Sequence, residues 1–321
     1  MPVKIDRALV TGAAGFIGSH VVKELAKNGT YVLAFVRPGS DTGVLSGLSN
    51  IEIIECDMND YGSVPALTGT KDVDAVFHMA WEGVSGKAAS DEMIQLKNVK
   101  ATVDMVNSAI AVGAGTFIGC GSMHEKECAI AMASNKITGP SYAYAAAKTA
   151  SHWMAAAKCS HNGIRFFWPF INTYGEGESS NRLINYVIKS IYKNESPELS
   201  EGTQYYDYVH VEDVARALRL IAEKGVDQTG YVIGSGNAGH LRGFLELAGK
   251  TANRLKGGTE VPLGFGKRAG EPICLPGEFF DITKLSNDTG FQITIPFEEG
   301  IERTARWLYE ESKNDPDLLK A

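Results

Sequence analysis

Tyr144-Ala145-Ala146-Ala147-Lys148 sets a phenol and an ammonium four residues apart. On a helix the two share one face. A neighbouring cation favours the phenolate, so Lys148 lowers the pKa of Tyr144 toward working pH. Such a phenol can give or take a proton at a carbinol oxygen, the proton half of an alcohol–ketone interconversion. The spacing alone is cheap, because Tyr309 and Lys313 repeat it near the C-terminus, where a solvated helix face is the expectation. Context separates the two pairs. Twenty-two residues before Tyr144 stands Gly119-Cys120-Gly121-Ser122, at the end of a predicted strand. A hydroxyl there sits at the ligand edge of a parallel sheet.

The hydride half needs a carrier, and the N-terminus offers a place for one. Val10-Thr11-Gly12-Ala13-Ala14-Gly15-Phe16-Ile17-Gly18 follows a first strand and opens a first helix, with GxxGxxG spacing. Glycine lets backbone approach a pyrophosphate, and the helix N-terminus supplies free N–H groups and partial positive charge. Gly12, Gly15, Phe16, Ile17 and Gly18 are therefore the expected dinucleotide turn. The second strand ends at Phe35-Val36-Arg37. A carboxylate there would select the ribose 2′-hydroxyl of NAD; Arg37 suits a 2′-phosphate and points to NADP(H), with NAD(H) still admitted. Cys56-Asp57-Met58 places Asp57 where a carboxylate can accept from the adenine amino group, with a helix cap as the competing reading.

These groups need a scaffold. Strands are predicted at 8–11, 31–36, 51–55, 75–79, 116–119 and 164–167. Helices are predicted at 16–27, 93–112 and 142–160. The alternation implies right-handed βαβ units, hence an α/β fold with a Rossmann-type doubly wound parallel sheet. The rhythm changes after about residue 173, with helices at 183–192, 211–223 and 296–311 and a Gly/Pro-rich loop region at 257–277. The expected division is a dinucleotide-binding domain over 1–172, to which 208–240 returns, and a smaller substrate-binding region over 173–321.

Composition narrows the classes. The chain has 321 residues, 44% of them hydrophobic, and a net charge of −7. An acidic protein has no general attraction for nucleic acid. Five cysteines without a CxxC pair argue against a disulfide framework, and seven scattered histidines form no zinc signature. No metal is expected. No signal peptide or membrane span is evident, so a cytoplasmic protein is expected.

On these motifs the chain resembles the extended short-chain dehydrogenase/reductase family, the nucleotide-sugar epimerases, dehydratases and reductases. Thr11-Gly12 through Gly18 matches its TGxxGxxG, and Phe77-His78-Met79-Ala80 its FHLAA, which implies Met79 and Ala80 at the cofactor. Asn98-Val99 resembles the NV that opens the next helical segment. Ser122, Tyr144 and Lys148 match the Ser–Tyr–Lys triad, with Ser122 orienting the substrate oxygen and Lys148 also holding the nicotinamide ribose. Asn172-Thr173-Tyr174-Gly175 resembles NVYG, which implies a substrate contact at Asn172. Arg268-Ala269-Gly270-Glu271 resembles RxGD, which implies Arg268 on a nucleotide diphosphate and Glu271 on its ribose.

Departures refine the expectation. Tyr206 stands where many epimerases carry a second diphosphate-binding Arg. Glu125-Lys126-Glu127 replaces VYG. Ser122 is followed by Met123-His124 where 4,6-dehydratases carry Asp-Glu, so the acid/base pair that eliminates water is missing. His124 reads as a loop histidine, with a substitute acid as the alternative. The expected activity is NADPH-dependent reduction of a nucleotide-linked 4-keto-6-deoxyhexose. A 4-epimerase with tightly held cofactor and a non-catalytic dinucleotide sensor are the alternatives. By the same resemblance, the long helices at 93–112 and 142–160 pair across a homodimer.

Overall fold

The computed structural model describes residues 2–69, 72–135, 142–270 and 273–314. The chain divides into two compact units, and it passes from one to the other more than once. The first comprises Met1–Ile171, Val214–Ile233 and Thr283–Phe291; the second comprises Asn172–Asp213, Gly234–Ile282 and Gln292–Ala321.

The first unit is built on β1 (Arg7–Thr11), β2 (Tyr31–Val36), β3 (Ile51–Glu55), β4 (Ala75–His78), β5 (Thr116–Ile118) and β7 (Arg165–Phe167). They form one parallel sheet in the order β3-β2-β1-β4-β5-β7. The order reverses beside β1, and that reversal opens the crevice in which doubly wound folds bind ligand. β2 buries five of its six residues and β4 all four. Near-continuous apolar runs suit strands covered on both faces. A short three-stranded sheet extends this edge: β6 (Gly121–Ser122) pairs with β8 (Phe170–Ile171), which pairs with β9 (Val232–Ile233). The covering helices include α1 (Phe16–Lys27), α2 (Glu92–Ala111), α3 (His124–Ala133) and α4 (Tyr142–His161).

Asn98 lies inside α2, as the predicted helix at 93–112 has it, and the N-cap is Asp91, accepting from the N–H groups of Met93 and Ile94. One expectation changes here. His124 is not a loop residue; it begins α3.

The second unit gathers α5 (Leu183–Tyr192), α7 (Leu241–Lys256) and α8 (Phe297–Asn314) around a core that includes Val187, Ile188, Leu245, Ala248, Ile301 and Leu308. Helix α6 (Val211–Lys224) contributes its residues to both units. The sequence reading missed α7. Gly243 and Gly249 lower its helix propensity, yet Leu241, Leu245, Ala248 and Ala252 keep a buried face at helical spacing. Tyr309 also departs from expectation. It is half-buried, with its ring centroid 5.3 Å from that of Tyr192.

Candidate active site

At the C-terminal edge of the first unit's sheet, the turn between β1 and α1 is shaped by contact. Gly12 has φ of +64°, a left-handed conformation that favours glycine. A Cβ there would also meet the backbone of Ala80 at 2.9 Å. Gly18 presses against the Gly12 carbonyl, so its role is to let α1 pack on its own turn rather than to face a ligand. Gly15 is the N-cap of α1 and makes no side-chain capping bond. The first-turn N–H groups of Phe16, Ile17 and Gly18 therefore lack an intrahelical acceptor. A cavity of about 770 Å³ opens beside this turn. It is lined by Gly12, Gly15, Arg37, Asp57, Met58 and Ala80 among others. Met79 is not among its lining residues; its backbone abuts Gly12.

Arg37 is exposed at the rim of that cavity. Asp57 caps the 3-10 turn Met58–Ser63, accepting from Asn59 N–H at 2.9 Å and from its Nδ2 at 2.7 Å. Both bonds use Oδ1, so the capping role is realised without engaging the second carboxylate oxygen.

Behind the cavity runs a directed chain of hydrogen bonds. Ala80 N–H donates to Thr11 Oγ1 at 3.2 Å, and that hydroxyl lies 2.9 Å from His78 Nδ1. His78 Nε2 lies 3.2 Å from Thr102 Oγ1, which donates to the Asn98 carbonyl at 2.9 Å. Each hydroxyl has one proton to give, so the chain is consistent with His78 neutral and protonated on Nε2. Burial, reinforced by Lys148, pushes the His78 pKa down to about 3. Asn98 continues the brace, accepting from Glu82 N–H at 2.9 Å and donating to its carbonyl at 2.8 Å. Asn98 thus holds the loop after β4.

Tyr144 and Lys148 lie on α4. Tyr144 is half-buried and Lys148 is 2% exposed. The Lys148 ammonium donates to the Cys120 carbonyl at 2.6 Å, two residues before Ser122, and lies 3.5 Å from the Trp81 ring centroid. Burial drives its pKa down, while Cys120 and Glu125 oppose that shift. The Tyr144 ring meets Trp81 and His124 edge-on, with centroids 6.0 and 6.1 Å away. Ser122 is buried on β6, and its Oγ accepts from His124 N–H at 3.3 Å. The fold therefore brings Ser122, Tyr144 and Lys148 to one sheet edge. Trp81 joins them to the cavity, which it also lines.

Sequence reasoning missed Trp81. Its signal was available, since it directly follows the strand-end motif Phe77–Ala80. The indole N–H donates to Gln95 Oε1 at 3.1 Å, and the Gln95 amide is anchored on the Gly83 and Ala88 carbonyls. The ring is thus held in place beneath the Lys148 ammonium.

In the second unit, Asn172 is 5% exposed and its Nδ2 is buried without a hydrogen-bond partner. Arg268 is exposed, its main-chain N–H tied to the Leu199 carbonyl at 3.1 Å. Glu271 lies outside the described residues. Among the described residues no group of His, Cys, Asp or Glu is arranged to hold a metal ion, and no helix is long and apolar enough to cross a membrane.

Residues 8–234 match the NAD dependent epimerase/dehydratase family. A dTDP-4-dehydro-6-deoxy-D-allose reductase from Streptomyces bikiniensis is 27% identical, with 94% of this chain and 95% of that protein covered. A dTDP-glucose 4,6-dehydratase from Streptomyces venezuelae, solved with NAD bound, shares the fold with a TM-score of 0.78 at 22% identity, covering 97% and 99% of the two chains. A UDP-glucose 4-epimerase from Thermotoga maritima gives a TM-score of 0.74 at 21% identity, covering 95% and 99%. With a glycine turn, a strand-end serine and a Tyr–Lys helix assembled at one sheet edge, and a family match across most of its length, this chain is an enzyme of the NAD dependent epimerase/dehydratase family.

Proposed function

We propose that this enzyme reduces a nucleotide-linked 4-keto-6-deoxyhexose at the expense of NADPH. The observation that carries the reading is the environment of Tyr144. It stands one helical turn from a lysine that is almost wholly buried, held by the Cys120 carbonyl and covered by the Trp81 ring. The reductase relative points the same way.

The residues fit a dinucleotide. The uncapped start of α1 follows a turn whose Gly12, Ala14 and Gly15 line the cavity, and the close approach of Gly12 to Ala80 leaves no side chain there, as a pyrophosphate requires. Arg37 at the rim would meet a 2′-phosphate. When bound, the dinucleotide supplies the hydride. The chain's own part is proton transfer and orientation. Tyr144 gives its hydroxyl proton to the sugar oxygen as that oxygen gains charge. Lys148, as an ammonium, stabilises the phenolate left behind. Ser122 donates a hydrogen bond to the same sugar oxygen and fixes its direction. Asn172 contributes the unpaired amide donor to substrate, and Arg268 meets the nucleotide diphosphate, with Glu271 on its ribose.

The absence of the Asp-Glu pair after Ser122 also favours reduction of a ketone made by another enzyme over elimination of water here. A dTDP-4-keto-6-deoxyhexose should therefore drive stoichiometric loss of NADPH absorbance. Interconversion of two hydroxy-sugars without net cofactor consumption would establish the 4-epimerase instead.

Two further assignments belong to this reading. Copies of the chain pair through α2 and α4, where Met93 is 72% and Trp153 69% exposed. Light scattering should then report twice the chain mass. The enzyme works in the cytoplasm, a setting that suits five cysteines outside any disulfide.

A further inference from the structure

Ser122 and Glu125 flank the start of α3, whose N-cap is Met123, and their bonds resemble a capping box shifted by one residue. Ser122 Oγ accepts from His124 N–H at 3.3 Å, and Glu125 Oε1 accepts from Ser122 N–H at 2.8 Å. The capping acid usually lies in solvent, but Glu125 is 5% exposed. A buried carboxylate is costly unless its oxygens are matched by donors, and this one is matched further. Oε1 also accepts from the Trp168 indole N–H at 3.0 Å, and Oε2 lies 3.3 Å from His152 Nδ1. The Trp168 ring in turn lies so close beneath Gly119 and Gly121 that neither position has room for a Cβ. The strand end leading to Ser122 rests on an indole that Glu125 holds.

We propose that Glu125 is the positioning residue of this site: its buried carboxylate fixes the main chain at Ser122 and, holding the Trp168 indole whose centroid lies 5.9 Å from the Lys148 ammonium, sets negative charge beside the pocket that buries Lys148. The inference rests on Ser122, Tyr144 and Lys148 being the reacting set. It concerns a position where the family pattern has an apolar residue. The groups around Glu125 are Lys126 and Cys128 on its own helix and Lys148 and His152 on α4, while Cys120 before β6 and the Tyr144 ring, 5.7 Å away, face Lys148. Burial lowers Lys126 and raises Cys128. His78 faces Lys148 from β4 and is held neutral by burial, so it adds no cation. His124 is taken up by Glu127 at 2.7 Å. Loss of the Glu125 charge therefore acts on Lys148 in one direction, making its proton easier to lose.

The test compares Glu125→Gln and Glu125→Ala in the full-length enzyme with NADPH and a dTDP-4-keto-6-deoxyhexose, beside Tyr144→Phe. The glutamine keeps an oxygen for the Ser122 and Trp168 N–H groups but has no charge. Its kcat near neutral pH should stay within about threefold of the parent, while the alkaline limb of its pH profile moves down by about one pH unit. The alanine leaves both N–H groups unmatched, and its kcat should fall about ten- to a hundredfold with little change in KM. Superimposable pH profiles for the glutamine variant and the parent overturn the proposal, as does a folded alanine variant with parental kcat. If the alanine does not fold, the glutamine profile decides. Retained turnover in Tyr144→Phe would instead bring down the reacting set. Loss in Tyr144→Phe together with an unmoved glutamine profile removes Glu125 alone.

Discussion

The protein carries the Tyr-x-x-x-Lys spacing twice, and the two copies share little beyond it. On α4, Lys148 is buried, donates to the Cys120 carbonyl and lies against Trp81. On α8, Lys313 bends back to 4.2 Å from the centroid of its own partner's ring and pairs with Glu310 at 3.1 Å. The Tyr309 ring packs on Tyr192. Spacing puts two side chains on one helix face. What distinguishes the first pair, and underlies the proton-donor role proposed for it, is the strand end beside it, which supplies a hydroxyl, a carbonyl for the ammonium and a neighbouring cavity. The second pair has an ion pair with a solvent-exposed acid, worth about 0–1 kcal/mol at most.

The largest effect should fall on the phenol. Tyr144→Phe leaves the ring to pack on Trp81 and should lower kcat by about 10²–10⁴ with NADPH binding near normal. Tyr309→Phe should leave kcat unchanged. A damaging Tyr309→Phe beside a silent Tyr144→Phe would reverse the comparison.

Acid stability separates the two settings next, because only the α4 site is backed by a buried neutral histidine. The unfolded state binds a proton on this histidine below about pH 6.5, but the folded state does not until about pH 3. His78 thus contributes stability that is complete above pH 6.5 and declines as pH falls toward 3. The slope is about 1.4 kcal/mol per pH unit in that window. Urea melts at pH 7 and pH 5 should show that loss in the parent. In His78→Gln it should be smaller, though the variant is less stable throughout.

The cofactor preference sharpens the comparison at smaller scale. Arg37→Asp should weaken NADPH binding about tenfold or more relative to NADH, in keeping with about 1.5–3 kcal/mol for a charged hydrogen bond. Fluorescence titration reads both constants. Equal affinity for the two cofactors in the parent would remove the role given to Arg37. The smallest effect expected is Lys313→Ala, within about 0.5 kcal/mol in thermal stability.

Much of this site was legible in the sequence because its parts are local. The turn at Gly12–Gly18 and the Tyr144–Lys148 helix face each follow from spacing within a few residues. What escaped was set by distant partners. The role of Glu125 depends on Trp168 and His152, 43 and 27 residues away, and nothing in Glu125-Lys126-Glu127 marks one acid as buried. Trp81 follows β4 directly, but its contacts are with Lys148 and Gln95, 67 and 14 residues away. Helix α7 was lost to two glycines that its buried face tolerates.

The division of the chain has a consequence for anyone who would cut or recombine it. The backbone crosses between the two units at 171/172, 213/214, 233/234, 282/283 and 291/292. Ending the polypeptide at 172 would remove β9, the strand that pairs with β8, which in turn pairs with the Ser122 strand. Neither unit is a contiguous gene segment, so a single-crossover chimera with a relative cannot exchange one unit and keep the other. Any recombination must instead respect five junctions at once, on a chain inherited whole.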